Sequence, residues 1–234
     1  MTVSGAQLMH GIIHNPSYII DLSKHKPLAN GGFRAVFEVP EYPDCLVKVI
    51  RRNRLDEQGN FSRNNFIKKL RRHGPYRMFL LEVSEYFRLH HSEAARAHKT
   101  MPVAHIRGLC ETTNGIGLVV EKIMDENGDA APTMRQLIKA KAVTGAHIEA
   151  FDRFQAQCEA FNVVISDTSP KNYLFTRCRP GGPQWVCVDG YGEKVLIPVH
   201  SLLPRLNAFR NRDKFARLRE RLLSGYQPLP VAAE

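Results

Sequence analysis

The sequence predicts an α+β fold of two lobes, a sheet-rich N-terminal half (1–124) and a reduced, mostly helical C-terminal half (125–234). Three observations support this prediction. Apolar, β-branched segments separated by turn residues fill the first half, interrupted by one helical stretch. The linker DENGDAAP (125–132) follows, and beyond it apolar residues recur mostly at helical spacing. A sheet and a helical half joined in this way leave a cleft where ligands bind.

The first half reads as an antiparallel sheet with one helix inserted. We predict strands over SYIIDL (17–22), FRAVFEV (33–39) and CLVKVI (45–50). A helix is predicted from about residue 77 to 99, and 67–70 fits either a short helix or a loop. The dipeptide Asn114-Gly115 indicates a hairpin that joins strands 104–113 and 115–124.

The second half contains two helices, 132–141 and 146–161, then a strand–loop–strand segment over 163–176. WVCVDG (185–190) reads as a short buried strand that ends in a turn, with the sole tryptophan, Trp185, in the core. A final helix is predicted after Pro204, and its apolar residues lie partly on one side: Leu206, Phe209, Phe215, Leu218 and Leu222.

Composition favours an anionic partner. The net charge is +10, and basic residues concentrate at 51–77 and 205–221. The acceptor could be an anionic glycan, lipid or protein, although solvated helix faces would explain both blocks equally well. Nucleic acid is disfavoured, because the sequence shows no zinc or helix-turn-helix signal. With no secretory signal, no transmembrane run and five scattered cysteines, we expect a cytoplasmic protein without disulfides.

A glycine pair lies between two predicted strands, in LANGGFRAV (28–36). A Rossmann or Walker loop would require a helix directly after it, whereas a glycine turn between strands is typical of the kinase loop that covers ATP phosphates. Asn30, Gly31 and Gly32 are therefore candidate nucleotide-binding residues. A plain hairpin turn is the alternative.

Lys48 lies inside the apolar strand CLVKVI, where a charged side chain needs a partner. In kinases such a lysine holds the nucleotide phosphates and pairs with an acid from a neighbouring helix. Glu82 lies beside the apolar face of the predicted helix and is the expected partner, whereas Glu85 is expected to be a solvated helix charge. The alternative is an edge position with the Lys48 ammonium in water.

The run ISDTSPKN (165–172) separates Asp167 from Asn172 by five residues, directly after an apolar stretch. Kinase catalytic loops use this spacing, with the aspartate accepting the substrate hydroxyl proton and the asparagine binding Mg²⁺. Asp189 leaves the strand WVCVD before Gly190 and is the second predicted metal ligand. Taken singly, each segment is also typical of an ordinary Asp or Asn turn.

The order of these elements favours a kinase-like fold: glycine loop, strand lysine, helix glutamate, Asp-x4-Asn and strand-end aspartate. Each lies in the structural context that a kinase requires. ATP and Mg²⁺ are the expected cofactors. Glu121 and Ile123, in the second strand of the hairpin, are further candidates for nucleotide binding.

Several segments carry a family resemblance: LANGGFRAVFEVPEYPDCLVKVI, LLEVSEYFRLH, IRGLCETTNGIGLVVEKIMDENGDAAPTM, VVISDTSPKNYLF and VDGYGE. Together they resemble the bacterial YrbL family of PhoP regulatory network proteins over roughly residues 28–198, most specifically in ETTNGIGLVVE and SPKN. Members look like small, divergent kinase-like proteins, related in layout to lipopolysaccharide-core kinases. The resemblance implies Lys48 as the nucleotide lysine, Glu82 as its partner, Asp167 as the catalytic aspartate, and Asn172 and Asp189 as the metal ligands.

The chain departs from the kinase pattern in several places. Ala29 and Arg34 replace glycines of the phosphate loop, and Ile165-Ser166 replaces His-Arg before Asp167. Gly190-Tyr191 replaces Phe-Gly, and no APE motif follows. The sequence therefore predicts an ATP-dependent phosphotransferase that acts on a hydroxyl of an unknown acceptor. The alternative is a pseudokinase, a nucleotide-binding or regulatory module without turnover.

Overall fold

The structure, a computed structural model, describes residues 19–40, 42–57, 73–192 and 204–226. These residues form two compact units. The sheet unit contains the described residues up to Val83 together with His105–Lys122, and the helical unit contains Ser84–Ala104 together with those from Ile123 onward. The predicted element at 67–70 and most of the basic block 51–77 lie outside the described residues.

The sheet unit is built on six strands: β1 (Ile19–Ile20), β2 (Pro27–Asn30), β3 (Arg34–Glu38), β4 (Cys45–Ile50), β5 (Ile106–Thr112) and β6 (Gly115–Glu121). Their order in the sheet is β1-β5-β6-β4-β3-β2. All neighbours are antiparallel except β1, which runs parallel to β5. The central strand β4 is buried at every position except Leu46, as expected of a strand that is apolar apart from Lys48. The predicted α+β class is confirmed.

The strand before the glycine turn is β2, not the predicted 17–22 segment. β2 pairs with β3, whereas Ile19 and Ile20 pair with β5 at the opposite edge of the sheet. The sequence hides β2 because all four residues of PLAN are exposed, so neither apolar alternation nor β propensity marks it. The predicted hairpin is confirmed as β5–β6, with Thr112 opposite Gly115.

The predicted helix over 77–99 is two helices, α1 (Arg77–His90) and α2 (Glu93–Arg96). Ser92 interrupts it, because its hydroxyl oxygen accepts the Ala95 N–H at 3.2 Å and so caps a new helix. In α1, Phe79 is buried, whereas Phe87 is 66% exposed.

The helical unit contains α3 (Met134–Lys139), α4 (Gly145–Ala160) and α5 (Pro204–Leu223), with a two-stranded antiparallel ribbon of β7 (Tyr173–Thr176) and β8 (Gln184–Cys187). Edge-to-face contacts join Phe154 of α4 to Tyr173 of the ribbon and to Phe215 of α5. Trp185 is fully buried, as predicted. No helix in the described ranges is long and apolar enough to cross a membrane.

Helix α5 buries a different face near its start from the one predicted. Phe215, Leu218 and Leu222 are buried, but Leu206 and Phe209 are 43% and 68% exposed. Asn207 and Asn211 occupy the buried face instead. Their Nδ2 groups donate to the Val163 carbonyl at 3.0 and 2.8 Å, so they satisfy a buried acceptor of the segment that leads to Asp167.

Candidate functional site

Lys48 and Glu82 form a buried ion pair in the sheet unit. β4 carries Lys48 opposite Val36 of β3 and Leu118 of β6, so its side chain leaves an apolar strand. The Nζ atom donates to Glu82 Oε1 at 2.5 Å, and the two side chains are only 7% and 8% exposed. A charge buried to this degree is tolerated because it is paired. The expectation that Lys48 has a helix acid as its partner, rather than water, is therefore met.

Arg34 is a second cation on the same carboxylate. Its NH1 donates to Glu82 Oε2 at 2.5 Å, and its side chain is 13% exposed. Arg34 and Lys48 therefore share one largely buried carboxylate. Sequence comparison with the kinase pattern marks Arg34 only as a missing glycine. Its partner could not be predicted, because Glu82 lies 48 residues away in the chain.

The glycine turn is closed by backbone hydrogen bonds. Gly31 N–H donates to the Arg34 carbonyl at 2.8 Å, and Arg51 NH1 donates to the Gly31 carbonyl at 2.9 Å. Asn30 and Gly32 are exposed, so both predicted residues are accessible to a ligand of the sheet unit. The Arg51 contact shows one use of the first basic block, which is to brace this turn.

Glu85 is not the solvated charge that the sequence suggests. It is 6% exposed, and its carboxylate accepts two hydrogen bonds from Arg88, from Nε at 2.9 Å and NH2 at 2.6 Å. Arg88 NH2 also donates to the Asn162 carbonyl at 2.8 Å. The spacing of three residues between Glu85 and Arg88 is the signal that could have revealed this pair. It ties α1 to the segment before the Asp167 loop within the helical unit.

Gly190 brings the predicted catalytic loop and the predicted metal aspartate together in the helical unit. A Cβ atom at Gly190 would lie 2.6 Å from Asp167 Cβ and 2.8 Å from Asn172 Nδ2. The backbone there has a φ of +78°, which favours glycine. Asp189 precedes this glycine directly, so all three predicted residues of the helical unit lie within a few ångströms of one turn.

Backbone hydrogen bonds hold this arrangement. The Gly190 carbonyl accepts the N–H groups of Ser166 and Asp167 at 2.8 and 2.9 Å, and the Asn172 carbonyl accepts the Val188 N–H at 2.9 Å. The loop over 165–172 is therefore fixed to the end of β8 at two points. Neither contact is local in sequence, so the spacing of Asp167, Asn172 and Asp189 alone could not predict it.

The side chains of Asp167, Asn172 and Asp189 differ in their hydrogen bonds. Asp167 Oδ1 accepts the Ser169 N–H at 2.9 Å, and Asp189 Oδ1 accepts the Gly190 N–H at 2.7 Å. Asn172 is 4% exposed, and its buried Nδ2 has no hydrogen-bond partner among the described residues. Leaving a buried amide unpaired costs about 1–3 kcal/mol.

The donor set at this turn suits Mg²⁺. Asp189 offers a carboxylate and Asn172 an amide, and Mg²⁺ prefers one or two such protein oxygens completed by substrate phosphates and water. Within the described ranges, no three residues of the His, Cys, Asp and Glu types cluster as a metal cage. The residues therefore fit a metal held jointly with a phosphorylated ligand better than a closed structural metal site.

Glu121 and Ile123 lie at the end of β6 and just beyond it. Glu121 Oε2 accepts the His105 N–H at 3.0 Å, so its carboxylate supports the backbone of the sheet unit. Ile123, in the helical unit, is 2% exposed, and its carbonyl accepts the Ala131 N–H at 2.8 Å. Their role in nucleotide binding stays a prediction.

Lys214 is a residue near the loop that the sequence did not indicate. From α5 its Nζ donates to the Ile165 carbonyl, two residues before Asp167. Burial, assisted by the nearby Arg210, lowers the pKa of Lys214 to about 8. No periodicity or motif marks this lysine, because the contact spans 49 residues and depends on how α5 packs.

The family model described as PhoP regulatory network protein YrbL matches residues 20–223. The chain belongs to this family. The match to the YrbL family includes every candidate site residue, and it confirms the family that the sequence resembles. No curated protein matches the chain.

Proposed function

We propose that this YrbL-family chain is an ATP-dependent phosphotransferase with a reduced, two-lobed kinase-like fold. The observation that supports this most is the meeting of Asp167, Asn172 and Asp189 at the turn of Gly190. A proton acceptor beside two oxygen ligands is what phosphoryl transfer requires of a protein. The Lys48–Glu82 ion pair of the sheet unit supplies the matching phosphate-binding lysine.

In this proposal each residue has a defined task. Lys48, held by Glu82, would bind the α- and β-phosphates of ATP together with the turn at Asn30–Gly32. Asn172 and Asp189 would hold Mg²⁺, which would neutralise charge on the phosphate oxygens. Asp167 accepts the proton of the acceptor hydroxyl. The hydroxyl oxygen then bonds to the γ-phosphorus, the bond from that phosphorus to the β,γ-bridging oxygen breaks, and ADP leaves with the electron pair.

Arg34 gives this version of the site a distinctive electrostatic character. A kinase glycine at this position would leave Glu82 paired with the lysine alone. Here Arg34 and Lys48 share the Glu82 carboxylate, so a second positive charge lies beside the proposed phosphate-binding lysine. We propose that this charge compensates for the glycines missing from the phosphate loop.

A transfer assay tests the proposal. The purified full chain is incubated with Mg²⁺ and γ-labelled ATP, with water and a panel of sugars, lipids and proteins as acceptors. We expect Asp167→Ala and Asp189→Ala each to lower the rate by a factor of about a hundred or more. Asp152→Ala, which removes an exposed carboxylate paired with Arg219, is the matched control and should leave the rate unchanged. If the wild-type chain neither hydrolyses ATP nor transfers phosphate to any acceptor of the panel, the proposal that it is an enzyme is refuted.

A pseudokinase is the second candidate, and the contact between Arg34 and Glu82 favours it. Both Glu82 oxygens are engaged in the structure, which is compatible with a site fixed for binding rather than turnover. In that case Mg²⁺ and ATP would raise the melting temperature of the chain, whereas γ-labelled ATP would not be consumed. The enzyme proposal requires both effects.

A further inference from the structure

A pocket of about 410 Å³ opens in the helical unit beside the loop that carries Asp167. Three segments line it: α3, the loop just after Asp167, and the end of α5. Their contributions include Arg135, Lys139 and Arg221, and the loop contributes Ser169 and Pro170. A volume of this size is typical of pockets that bind small molecules.

The pocket is lined by positive charge. Arg135, Lys139 and Arg221 are exposed, and none forms an ion pair with a carboxylate in the described part of the chain. Arg221 makes one long contact, from NH1 to the Thr168 carbonyl at 3.4 Å, so most of its guanidinium donors remain available. Three cations around one concavity attract anions and repel one another when no anion is bound.

The walls of the pocket are fixed relative to each other. Gly225, just after α5, packs so closely on α3 that a Cβ atom there would lie 2.7 Å from Ile138 Cα. Its carbonyl accepts the Val143 N–H at 3.3 Å. Thr133 and Gln136 form a capping box at the start of α3, which fixes the turn that carries Arg135. The three cations therefore sit on preformed elements, which lowers the entropic cost of binding a ligand.

We propose that this pocket binds a phosphate monoester on the acceptor molecule. The inference rests on the proposed function, because the pocket begins at Ser169, two residues after the proposed base Asp167. A phosphate monoester carries about two negative charges and three acceptor oxygens, which match two guanidinium groups and one ammonium. Ile138 and Pro170 add apolar surface for the carrier of the phosphate. A phosphorylated sugar and a phospholipid headgroup share this chemistry.

Binding measured without ATP tests the pocket directly. The probes are glucose 6-phosphate against glucose, and vesicles containing phosphatidic acid against pure phosphatidylcholine vesicles. We expect the full chain to bind at least one phosphorylated probe and neither neutral one. Replacing Arg135 and Arg221 together with glutamine should weaken that binding about a hundredfold, since each charge-assisted contact accounts for about a factor of ten. The arm that binds identifies the source of the phosphate.

Arg212→Gln is the matched control. Arg212 is also exposed on α5, but nine residues from Arg221 it lies on the opposite side of the helix, so its loss should change binding less than twofold. Circular dichroism verifies that all variants are folded. The proposed phosphate site would be overturned if Arg212→Gln weakened probe binding as much as the double variant does. It would also be overturned if the wild-type chain bound no phosphorylated probe.

Lys48→Met separates this inference from the proposed function. It should leave binding of the phosphorylated probe intact and abolish ATP turnover. Suppose that the wild-type chain neither binds nor consumes ATP, but that the double variant still binds the phosphorylated probe more weakly than the wild type. The phosphate site in the pocket is then supported, and the phosphotransferase function is refuted. If the wild-type chain consumes ATP but the double variant binds the probe as tightly as the wild type, the phosphate site in the pocket is refuted and the phosphotransferase function is supported.

Discussion

Glu82 is almost completely buried, and its carboxylate contacts two cations. We therefore expect substitutions of Glu82 to affect stability strongly. Glu82→Gln would remove the negative charge that Lys48 and Arg34 both contact. We expect a loss of about 3 kcal/mol in the free energy of unfolding, because breaking a buried ion pair strands its partner. Chemical denaturation measures this loss.

Glu38→Gln is the control for Glu82→Gln. Glu38 pairs with Lys122 at 3.0 Å in the same unit, but its side chain is 45% exposed. Exposed pairs contribute about 0–1 kcal/mol, so this variant should unfold close to the wild type. Equal losses in the two variants would show that the Glu82 cluster is no more stabilising than a surface pair.

His147 makes the stability of the helical unit sensitive to acid. Its Nδ1 accepts the Thr144 N–H at 3.0 Å, and its ring packs against Phe175 with centroids 4.1 Å apart. Burial, assisted by Arg177, holds the pKa of His147 below its usual value of 6.5. The unfolded chain therefore binds the proton first, so the stability that His147 contributes is present above pH 6.5 and is lost as the pH falls below it.

His147→Gln isolates that effect, since glutamine at this helix position can accept the same N–H but does not titrate. We expect the wild-type free energy of unfolding to fall more steeply than that of the variant between about pH 6.5 and 5. Urea titrations at several pH values measure the difference. Parallel curves for the two proteins would mean that His147 does not cause the acid sensitivity.

At the scale of elements, Gly190 joins the Asp167 loop to the end of β8. Alanine there would adopt an unfavourable φ of +78° and would also press its Cβ into Asp167 and Asn172. We expect Gly190→Ala to lower the free energy of unfolding by about 3 kcal/mol, of which about 1 kcal/mol is backbone strain. It should also abolish ATP turnover, because the loop and the metal aspartate would separate.

Gly182→Ala supplies the comparison for that variant. Gly182 has nearly the same φ, +79°, but no atom lies within 4 Å of its added Cβ. It should therefore show the backbone strain of about 1 kcal/mol alone, with turnover unchanged. If both variants lose the same stability and keep the same activity, the contacts at Gly190 do not hold the site together.

Elements with a strong local pattern could be predicted from the sequence, and those fixed by distant contacts could not. β4, the β5–β6 hairpin and α4 follow from apolar runs, turn residues and helical spacing. β2 lacks such a pattern because it is exposed, and the break at Ser92 depends on a single cap. At the site, the partner of Lys48 was predictable, but the roles of Arg34 and Lys214 depend on contacts that span 48 and 49 residues.

For the whole molecule, the net charge of +10 comes from basic residues that make several different kinds of contact. Arg34 and Lys48 share Glu82, Arg51 braces the glycine turn, and Arg221 lines the pocket beside the Asp167 loop. Arg51 of the first basic block is therefore not simply solvated, because its guanidinium donates to the Gly31 carbonyl. In the proposed function, the phosphates of ATP bind at Lys48, Arg34 and the glycine turn, and the phosphate of the acceptor binds in the pocket.

The affinity of the full chain for ATP, measured by calorimetry with and without Mg²⁺, tests the proposed nucleotide–metal site most directly. We expect Mg²⁺ to tighten ATP binding to the wild type, Asp189→Asn to remove that gain, and Lys48→Met to weaken binding about tenfold or more with or without the metal, since contacts to charged phosphates contribute about 1.5–3 kcal/mol. Failure of the wild type to bind ATP in the presence of Mg²⁺, or binding that neither substitution changes, would contradict the account.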